Sequence, residues 1–472
     1  MTIKNIDVEA SIDRVKALIS EEDDMSPALR SSLEVLLLLV TLMADRFGLN
    51  SKNSSKPPSS DPNRKKEPKT KGDRKPGGQN GHKGTTLAPV SEPDYVEILQ
   101  VDRGHLPPGP YREVGFESRQ VVDLDIRTVV TEYRAQILED QQGKRYVAPF
   151  PKGVTRPVQY GPGVKAHSVY MSQFQLIPYK RIEELFLEQM QIPVSAGSIF
   201  NFNQDAYNRL ATFDQWIRGQ LPSVSVLHAD ETGINIGGKR VWLHTTSSPD
   251  LTFLSPHAKR GGEALDSIGI LPQFNGILCH DHWKPYFKYA AQHSLCNAHH
   301  LRELERAWEQ DKQQWAHDMA ALLNKIDQST KDAGGCLSSV AAETWRKRYR
   351  NLLKKADSEC PAPDEKQRNG RRGRLARTKA RNLLERLRNF ESDVLRFMEK
   401  SDVPFTNNLA ERDLRMTKVQ QKISGCFRSW DGAEMFCRIR SYLSTCRKQG
   451  VNASEALRLL FEDKSPQFMM AD

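Results

Sequence analysis

The order of short apolar runs and turn signals in the middle of the chain most limits how it can fold. The apolar run Val224–His228 leads to Asp230, and Gly233 follows as a turn signal. Two more strand candidates, Arg240–Thr246 and Leu251–Ser255, come next. This order predicts a three-stranded meander whose first strand delivers a carboxylate to its end.

The same arrangement recurs further along the chain. A helix predicted for Gly262–Gly269 precedes an apolar strand that ends at Asp281, and then a helical stretch and a strand at Ser294–Cys296. This is the element order of a ribonuclease-H-like domain: three meandering strands, a helix, a strand, a helix and a strand. In that fold the first and fourth strands end side by side, so Asp230 and Asp281 are expected to face one another. An Asp that only caps a turn is the alternative for either residue alone.

Composition and pattern divide the rest of this α+β multidomain chain into segments around that core. The predicted segments are a helical or coiled-coil segment (1–49), a basic disordered linker (50–92), a small β unit (93–157), a helical, helix-turn-helix-like region (158–222), the first part of the core with its mixed five-stranded sheet (223–298), a helical insertion (299–402) and the final core helices (403–472).

The N-terminal segment carries apolar residues at alternating spacings of four and three, which is typical of a coiled-coil seam. Both a dimerisation helix and an amphipathic helix packed on its own chain fit this short pattern. The residues are Leu29, Leu33, Leu36, Val40, Met43 and Phe47.

Most of the net charge of +10 lies between Lys52 and Gly84, a Ser/Pro/Lys-rich stretch that contains Lys65 and Lys66. Such a stretch either binds the phosphates of a nucleic acid or is a solvated linker. The start of the chain lacks a signal-peptide pattern, the run Val35–Val40 is too short to span a bilayer, and the cysteines show no regular pairing. A cytoplasmic protein without a membrane partner is expected.

Short alternating runs at Tyr95–Val101, Arg119–Ile126 and Val129–Ile137 predict the small antiparallel β unit. After Tyr160, helices are predicted to follow Gly161, to run from Pro178 to Met190 and to begin after Ser195. The short break between the last two helices fits a DNA-binding helix-turn-helix or an ordinary helix pair. These alternatives stay open.

The insertion is strongly helical, with candidates at Leu301–Trp308, Trp315–Ile326, Glu343–Lys355 and Leu375–Lys400. Its stretch from Asn369 to Arg388 is rich in arginine and contains Arg371 and Arg372. It is either a phosphate-facing edge or a solvated helix face.

A last helix is predicted to open near Asn408 and to carry Glu411 in its first turn. Asn408 and Glu411 also fit a capping box, which is the structural alternative for this acid. The same helix presents one basic face formed by Arg412, Arg415, Lys418 and Lys422.

Three carboxylates gathered from two strand ends and a late helix suit two Mg²⁺ or Mn²⁺ ions, an arrangement that cleaves phosphodiesters. The basic residues beside Glu411 would then hold a DNA backbone without reading its sequence. A zinc site built from Cys279, Cys296, His299 and His300 is disfavoured, because the Cys-x2-His piece has no second paired element.

At this level of detail the chain resembles a DDE transposase of the insertion sequence sixty-six (IS-66) family. The resemblance is carried by His228-Ala-Asp-Glu-Thr232, by Gly276-Ile-Leu-Cys-His-Asp281 with Trp283 and Tyr286, by Cys296-Asn-Ala-His299 with Arg302, and by Asn407-Asn-Leu-Ala-Glu411-Arg412 with Lys422-Ile-Ser-Gly425 and Phe427-Arg428-Ser429.

The resemblance implies that Asp230, Asp281 and Glu411 form a metal-binding catalytic triad with Arg428 among the DNA contacts. It implies cleavage of double-stranded DNA at transposon ends, joining of the freed 3′ ends to target DNA, and a homodimer or higher oligomer. His282 and Trp283 are possible accessory residues, and relatives more often carry a small residue at the position of His282. Relatives often have a cysteine-rich zinc motif after the linker, and Asp102–Glu113 has none. A nuclease or resolvase that does not join ends, and a non-catalytic DNA-binding accessory protein, are the alternatives.

Overall fold

A computed structural model of the chain describes residues 2–3, 6–22, 24–47, 49–50, 52–54, 61, 87–290, 292–364 and 375–470. Contacts between Cα atoms divide the chain into two units, Lys65–Glu132 and the remainder, Met1–Arg64 with Tyr133–Asp472. The predicted DNA contacts Lys65, Lys66, Arg371 and Arg372 lie outside the described residues.

The N-terminal part consists of two short paired strands and two helices: β1 (Thr2–Ile3), β2 (Ile6–Asp7), α1 (Val8–Glu21) and α2 (Pro27–Phe47). The helix expected over the heptad pattern is therefore present as α2. Most of its stripe is exposed, with Leu36 and Met43 each more than half accessible, and Leu33 is partly buried.

Helix α2 bears on the expectation that the chain has no membrane partner. Its window Pro27–Ala44 is long and apolar enough to cross a bilayer, by length and composition. The uninterrupted apolar run is short, but hydropathy averaged over a helix tolerates the scattered Ser, Thr and charged residues. One such helix near the start of a chain is weak evidence for a membrane segment.

Within Lys65–Glu132, residues 87–132 contain a 3₁₀ turn at Arg103–His105 and no paired strand. The three runs predicted as strands thus contribute only Ile137. The antiparallel pair in this region is instead β3 (Ile137–Glu139) with β4 (Arg145–Val147). Alternating side chains such as Tyr95 and Val121 are about nine-tenths exposed, so no packed face holds those runs in a sheet.

Helices α3 (Pro162–Val169), α4 (Tyr179–Met190) and α5 (Ala196–Arg209) begin where the sequence predicted, and α6 (Ala211–Gln220) follows α5 after Leu210. A π-helical turn at Tyr170–Phe174 extends α3. Ser195 caps α5, because its hydroxyl accepts a hydrogen bond from Ser198 N at 3.1 Å.

The central element is a mixed five-stranded sheet, as predicted. Its strands have the spatial order β7-β6-β5-β8-β9, with β5–β8 and β8–β9 parallel and the other pairs antiparallel. Their bounds are β5 (Val226–Ile236), β6 (Lys239–Ser247), β7 (Thr252–His257), β8 (Ile277–His280) and β9 (Gln292–Leu295), with α7 (Gly262–Ile268) between β7 and β8.

Both faces of the parallel strands are buried, which explains why β8 reads as a continuous apolar run. Successive residues point to opposite faces, so Leu227 joins the core formed with α3–α6 and the C-terminal helices, whereas Val226 joins the core of the helical insertion. The remaining helices are α8 (Asn297–Glu309), α9 (Gln314–Asp332), α10 (Ser339–Glu359), α11 (Lys379–Asn389), α12 (Glu391–Leu395), α13 (Asn408–Ser424), α14 (Trp430–Lys448) and α15 (Ala453–Phe461).

The insertion α8–α12 has its own apolar core, centred on the fully buried Trp315 and Tyr349. The single helix predicted for Leu375–Lys400 is instead divided into α11, α12 and a 3₁₀ turn at Arg396–Met398. Leu387 and Val394, on either side of the break at Phe390, are both buried. The apolar periodicity therefore continues across the break, and the sequence pattern alone did not reveal it.

Candidate active site

Asp230 lies within β5 and not at its end, which corrects the sequence prediction. Strand β5 continues to Ile236 because it pairs with β6 through a two-residue hairpin, Gly237-Gly238, both at positive φ. Gly233 is a strand residue opposite Trp242, and a Cβ there would lie 2.9 Å from Arg240 Nε. The glycine permits this close approach and makes no turn.

The parallel register nevertheless places the two aspartates side by side. Val226, Leu227 and His228 pair with Ile277, Leu278 and Cys279, so the same offset sets Asp230 beside Asp281. Asp281 follows the last residue of β8, and its Oδ1 accepts a hydrogen bond from Trp283 N at 2.9 Å. Both carboxylates therefore emerge where the parallel pairing of β5 and β8 stops.

Asn407 connects the start of α13 to this part of the sheet through hydrogen bonds of its side chain. Its Oδ1 lies 2.8 Å from His228 Nδ1, its Nδ2 donates to Ala229 O at 2.9 Å, and its backbone N–H donates to Cys296 Sγ at 3.1 Å. The helix begins after Asn407 without a side-chain cap. The capping box that was the structural alternative for Asn408 and Glu411 does not form, because Asn407 takes the cap position and its side chain bonds to β5.

Glu411 lies in the first turn of α13, where the positive end of the helix dipole favours a carboxylate. Its Oε1 is 3.6 Å from Arg302 Nη2 and 3.9 Å from His299 Nδ1, both on α8. These distances are too long for hydrogen bonds. From the sequence, His299 was considered only as a disfavoured zinc ligand, and Arg302 was given no role beyond its place in a motif.

The pKa of Asp230 responds to the charges of the other two acids. Burial raises the pKa of Asp230 well above its usual value, and the negative charges of Glu231, Asp281 and Glu411 raise it further. The backbone N–H of Glu231, which donates to Asp230 Oδ1 at 2.8 Å, opposes this rise. Holding all these carboxylates ionised requires a compensating positive charge.

Several buried polar atoms around the acids lack hydrogen-bond partners within the described residues. They are Glu411 Oε1, His299 Nδ1, Arg302 Nε and His282 Nε2. Buried polar atoms are usually paired, so a group of unpaired ones indicates space for a ligand, an ion or water. The donor set of three carboxylates fits hard divalent cations such as Mg²⁺ or Mn²⁺.

Glu231 points to the other face of β5, because successive residues of a strand alternate between its two faces. Its Oε2 accepts a hydrogen bond from the Tyr286 hydroxyl at 2.5 Å, and its Oε1 accepts two from Arg260 at 2.6 and 2.8 Å. The Arg260 guanidinium stacks over the rings of Trp242 and Trp283. Burial raises the pKa of Glu231, while Tyr286 and Arg260 favour its charged form.

The two possible accessory residues have different surroundings. The His282 ring packs edge-on against Phe287 and Phe390, and its φ of 75° is strained for a residue with a Cβ. Burial lowers the pKa of His282 to about 4, so its ring is neutral at neutral pH. Trp283 contacts Asp281 through its backbone and Arg260 through its ring.

The basic face of α13 is present and borders the acids. Its members are exposed, although Lys418 Nζ also donates to Gly233 O at 2.8 Å and is thereby held against β5. Burial and the nearby Arg240 lower the pKa of Lys418. The face consists of Arg412, Arg415, Lys418 and Lys422, and Arg428 is exposed just beyond the helix.

The other two basic regions carry internal ion pairs. In the described part of the insertion edge, Arg381 and Arg388 both bind Asp357, and Arg386 binds Glu303. At the predicted helix-turn-helix, Lys180 and Arg181 lie beside glutamates one turn further along α4. Ion pairing explains these residues without nucleic acid, and DNA contact at either place stays a prediction.

The four residues considered for zinc do not come together. His300 Nδ1 bonds to Asn297 Oδ1 at 3.0 Å, and Cys279 lies in β8 beside Ser294. Cys296 and His299 instead approach Glu411, with one potential ligand atom from each lying within 4.8 Å of the others.

Comparison with known sequences identifies the class to which this fold and site belong. A family model described as "Transposase IS66 family" matches residues 157–435, which include the sheet, the insertion, Asp230, Asp281 and Glu411. The chain therefore belongs to the IS66 family of transposases.

Two further matches are less informative. Residues 2–88 match a second family model, which is described as a family of unknown function. A curated relative, the uncharacterized protein y4jO of Sinorhizobium fredii (strain NBRC 101917 / NGR234), is 34% identical over 70 residues. That alignment covers 15% of this chain and 22% of the relative, so the chain matches about a fifth of the length of that relative.

Proposed function

We propose that this chain is a transposase that binds the ends of a transposon, cleaves a phosphodiester bond there and joins the freed 3′ end to target DNA. The observation that carries the proposal is the juxtaposition of Asp230 and Asp281 with Glu411, read from the strand register and from the coupled charges. Membership in the IS66 family supports DNA as the substrate class, and double-stranded DNA is part of the proposal.

Asp230, Asp281 and Glu411 are proposed to hold two Mg²⁺ or Mn²⁺ ions. The raised pKa of Asp230 and the unpaired Glu411 Oε1 support this, because a cation would offset the crowded negative charge. When bound, such ions activate a water or hydroxyl nucleophile and stabilise the leaving oxygen. No zinc is assigned to this reaction.

The residues of the chain have separate proposed tasks. The carboxylates are fixed by two strands and a helix, and Asn407 sets the position of Glu411. Arg412 and Arg415 would contact backbone phosphates, which positions DNA without reading its sequence. Cleavage and joining are both displacements at phosphorus, so one set of acids serves both steps and no covalent intermediate on a side chain is needed.

The core is proposed to be a ribonuclease-H-like domain of the DDE type. The sheet order β7-β6-β5-β8-β9, with acids at the junction of β5 and β8, supports this proposal. The helical insertion α8–α12 then separates the second acid from the third. A homodimer or higher oligomer in the cytoplasm, paired through α2, would hold two DNA ends together.

The test is a strand-transfer assay with labelled cognate ends, Mg²⁺ and target DNA. The wild type is expected to give joined product, and Asp230→Asn, Asp281→Asn and Glu411→Gln are each expected to lose cleavage by more than about 100-fold. Asp250→Asn, in the exposed β6–β7 turn, is the matched control and should remain active. Full activity in Asp281→Asn contradicts the proposal.

The same assay separates the alternatives. Cleavage without joining supports a nuclease or resolvase, and DNA binding without either reaction supports an accessory protein. The crowding of like-charged acids around Asp230, with Glu411 Oε1 lacking a hydrogen bond in the described residues, favours a catalytic protein over an accessory one, because buried polar atoms with only a structural role are usually hydrogen-bonded.

A further inference from the structure

Cys296, His299 and Glu411 form a cluster of three different metal-ligating side chains beside the proposed magnesium site. Cys296 directly follows β9 and precedes α8, His299 lies in the first turn of α8, and Glu411 lies in the first turn of α13. Their sulfur, nitrogen and oxygen ligand atoms all lie within 4.8 Å of one another. Two helix starts and a strand end therefore deliver one ligand each to a common point.

The hydrogen bonding of the cluster is incomplete. His299 Nδ1 and Glu411 Oε1 are both buried, both without hydrogen-bond partners in the described part of the chain, and 3.9 Å apart. A direct hydrogen bond is too short to bridge that distance, whereas a cation between the two atoms would satisfy both. Cys296 Sγ accepts a hydrogen bond from Asn407 N at 3.1 Å, and the backbone N–H groups of Ala298 and His299 also favour its charged form, the thiolate that binds metal.

The ligand types indicate which cation fits. Thiolate and imidazole ligands favour Zn²⁺ and similar transition metals, whereas Mg²⁺ prefers oxygen alone. Zinc lies about 2.0–2.3 Å from such ligands, so its ligand atoms stand roughly 3.5 Å apart. The three side chains would have to close by about 1 Å, which small rotations of Glu411 and His299 supply because both are partly exposed.

The charges around the cluster are mixed. Arg302 Nη2, 3.6 Å from Glu411 Oε1, opposes a cation, whereas the charge of Asp281 acts on His299 and favours one. The Cys296 thiol loses its proton when it binds a metal, which adds a second negative charge to that of Glu411 and balances a divalent ion.

We propose that Cys296 Sγ, His299 Nδ1 and a Glu411 carboxylate oxygen bind one divalent cation of the zinc class. Because Glu411 belongs to the proposed magnesium site, zinc bound here withdraws that carboxylate and inhibits the reaction. The binding stands on the cluster alone, and the inhibition rests on the proposed function.

The test of binding uses the full chain, purified without metal, and Zn²⁺ or Co²⁺ alone. Titration with Co²⁺ is expected to give a thiolate-to-cobalt charge-transfer band with one equivalent bound, and Zn²⁺ should displace it. Cys296→Ser should abolish the band, and His299→Ala should weaken cobalt and zinc binding at least about tenfold. Ser retains an acceptor for Asn407 N, and melting curves of both variants verify that they fold.

Cys336→Ser is the matched control, because Cys336 is an exposed free thiol that would bind metal only adventitiously. It should keep the band of the wild type. A band that survives in Cys296→Ser, or its absence in a folded wild-type protein, overturns the proposed site.

The test of inhibition compares Mg²⁺-dependent DNA cleavage with and without micromolar Zn²⁺ in the same variant. Zn²⁺ should slow DNA cleavage by the wild type and by Cys336→Ser at least about tenfold. For Cys296→Ser, the ratio of the cleavage rate without Zn²⁺ to the rate with Zn²⁺ should return towards one. Equal zinc sensitivity in Cys296→Ser refutes the competition. If the wild type cleaves no DNA in Mg²⁺, the proposed function fails, while the cobalt spectrum still decides whether the metal site exists.

Discussion

At the residue scale, the candidate site depends on one asparagine that has no charge and no catalytic chemistry of its own. Asn407 connects His228 and Ala229 of β5 to the start of α13 and hydrogen-bonds to Cys296 as well. Glu411 is one helical turn further on. The position of the third acid is therefore set by amide hydrogen bonds in a fully buried place.

Asn407→Ala is expected to destabilise the protein by roughly 2–4 kcal/mol, because it leaves two buried polar groups unpaired. It should also reduce DNA cleavage by displacing Glu411. Denaturant unfolding and the cleavage assay measure the two effects. Asn408→Ala is the matched control, since Asn408 is exposed and adjacent in sequence; equal losses in both variants would refute the role given to Asn407.

At the element scale, α13 has two faces with different tasks. Asp413 accepts hydrogen bonds from Ser247 and Thr252 and pairs with Lys448, so it ties the helix to β6, β7 and α14. Arg412 and Arg415 point to solvent. The helix is thus fixed on one side and exposes basic side chains on the other.

Arg412→Ala and Arg415→Ala are each expected to weaken DNA binding for every sequence. Each should also reduce the slope of log affinity against log salt concentration by about one, because one phosphate contact is lost. Lys418→Ala should change that slope less, since Lys418 already bonds to Gly233 O. Binding isotherms at several salt concentrations measure this, with Arg458→Ala on α15, whose guanidinium pairs with Glu462, as the control.

Helix α2 carries the second prediction at this scale. Its exposed stripe suits self-association, so Leu36→Asp with Met43→Asp should convert a dimer into a monomer in sedimentation experiments. The exposed Glu34→Gln is the control. An unchanged mass in the double variant would support a helix that packs on its own chain, and recovery of the wild type in the membrane fraction would support a membrane segment.

The sequence predicted the elements that have strong periodic patterns and missed features set by distant contacts. The five strands, α7 and the start of α5 follow from local apolar patterns and caps. The continuation of β5 beyond Asp230 depends on pairing with β6, and the role of Asn407 depends on partners about 180 positions away. Single-sequence patterns do not encode such pairings, and so the capping box at Asn408 was the natural local interpretation.

Asp230 and Asp281 could be found from the sequence because the two predicted strands that carry them show the same pattern. An apolar run followed by an aspartate occurs twice with an intervening helix, and this fixes which strand ends are neighbours. The positions of His299 and Arg302 beside Glu411 could not be predicted, because they depend on how α8 packs against α13 and not on the spacing of residues in the sequence. The paired Asp357 and Arg381 likewise look like free charges in the sequence.

At the scale of the whole molecule, several buried histidines make the folded state sensitive to acid. Burial lowers the pKa of His228 and of His244 to about 4, below the usual value of 6.5. Between these values the unfolded chain takes up protons that the folded protein does not. The contribution of these two histidines to the free energy of unfolding is therefore fully present above about pH 6.5 and is lost as the pH falls towards 4.

His244→Gln is expected to reduce this loss by up to about 1.4 kcal/mol per pH unit, the largest slope that one proton can give. Urea unfolding at several values between pH 4.5 and 7 measures the slope. The exposed His317→Gln is the control for the loss of an imidazole outside the core. An identical slope for His244→Gln and the wild type would show that His244 is protonated in the folded protein.

The anchoring of α13 by Asn407 also has a consequence for synthesis on the ribosome. Asp230 and Asp281 emerge early, whereas Glu411 and its anchor follow about 130 residues later. At bacterial or eukaryotic translation rates that interval lasts roughly 7–26 seconds. During this interval the insertion can fold around its own core, while Asp230 and Asp281 are still without Glu411. On the proposed function, a nascent chain that meets DNA therefore cannot cleave it until α13 has been synthesised and has brought Glu411 to the other two acids.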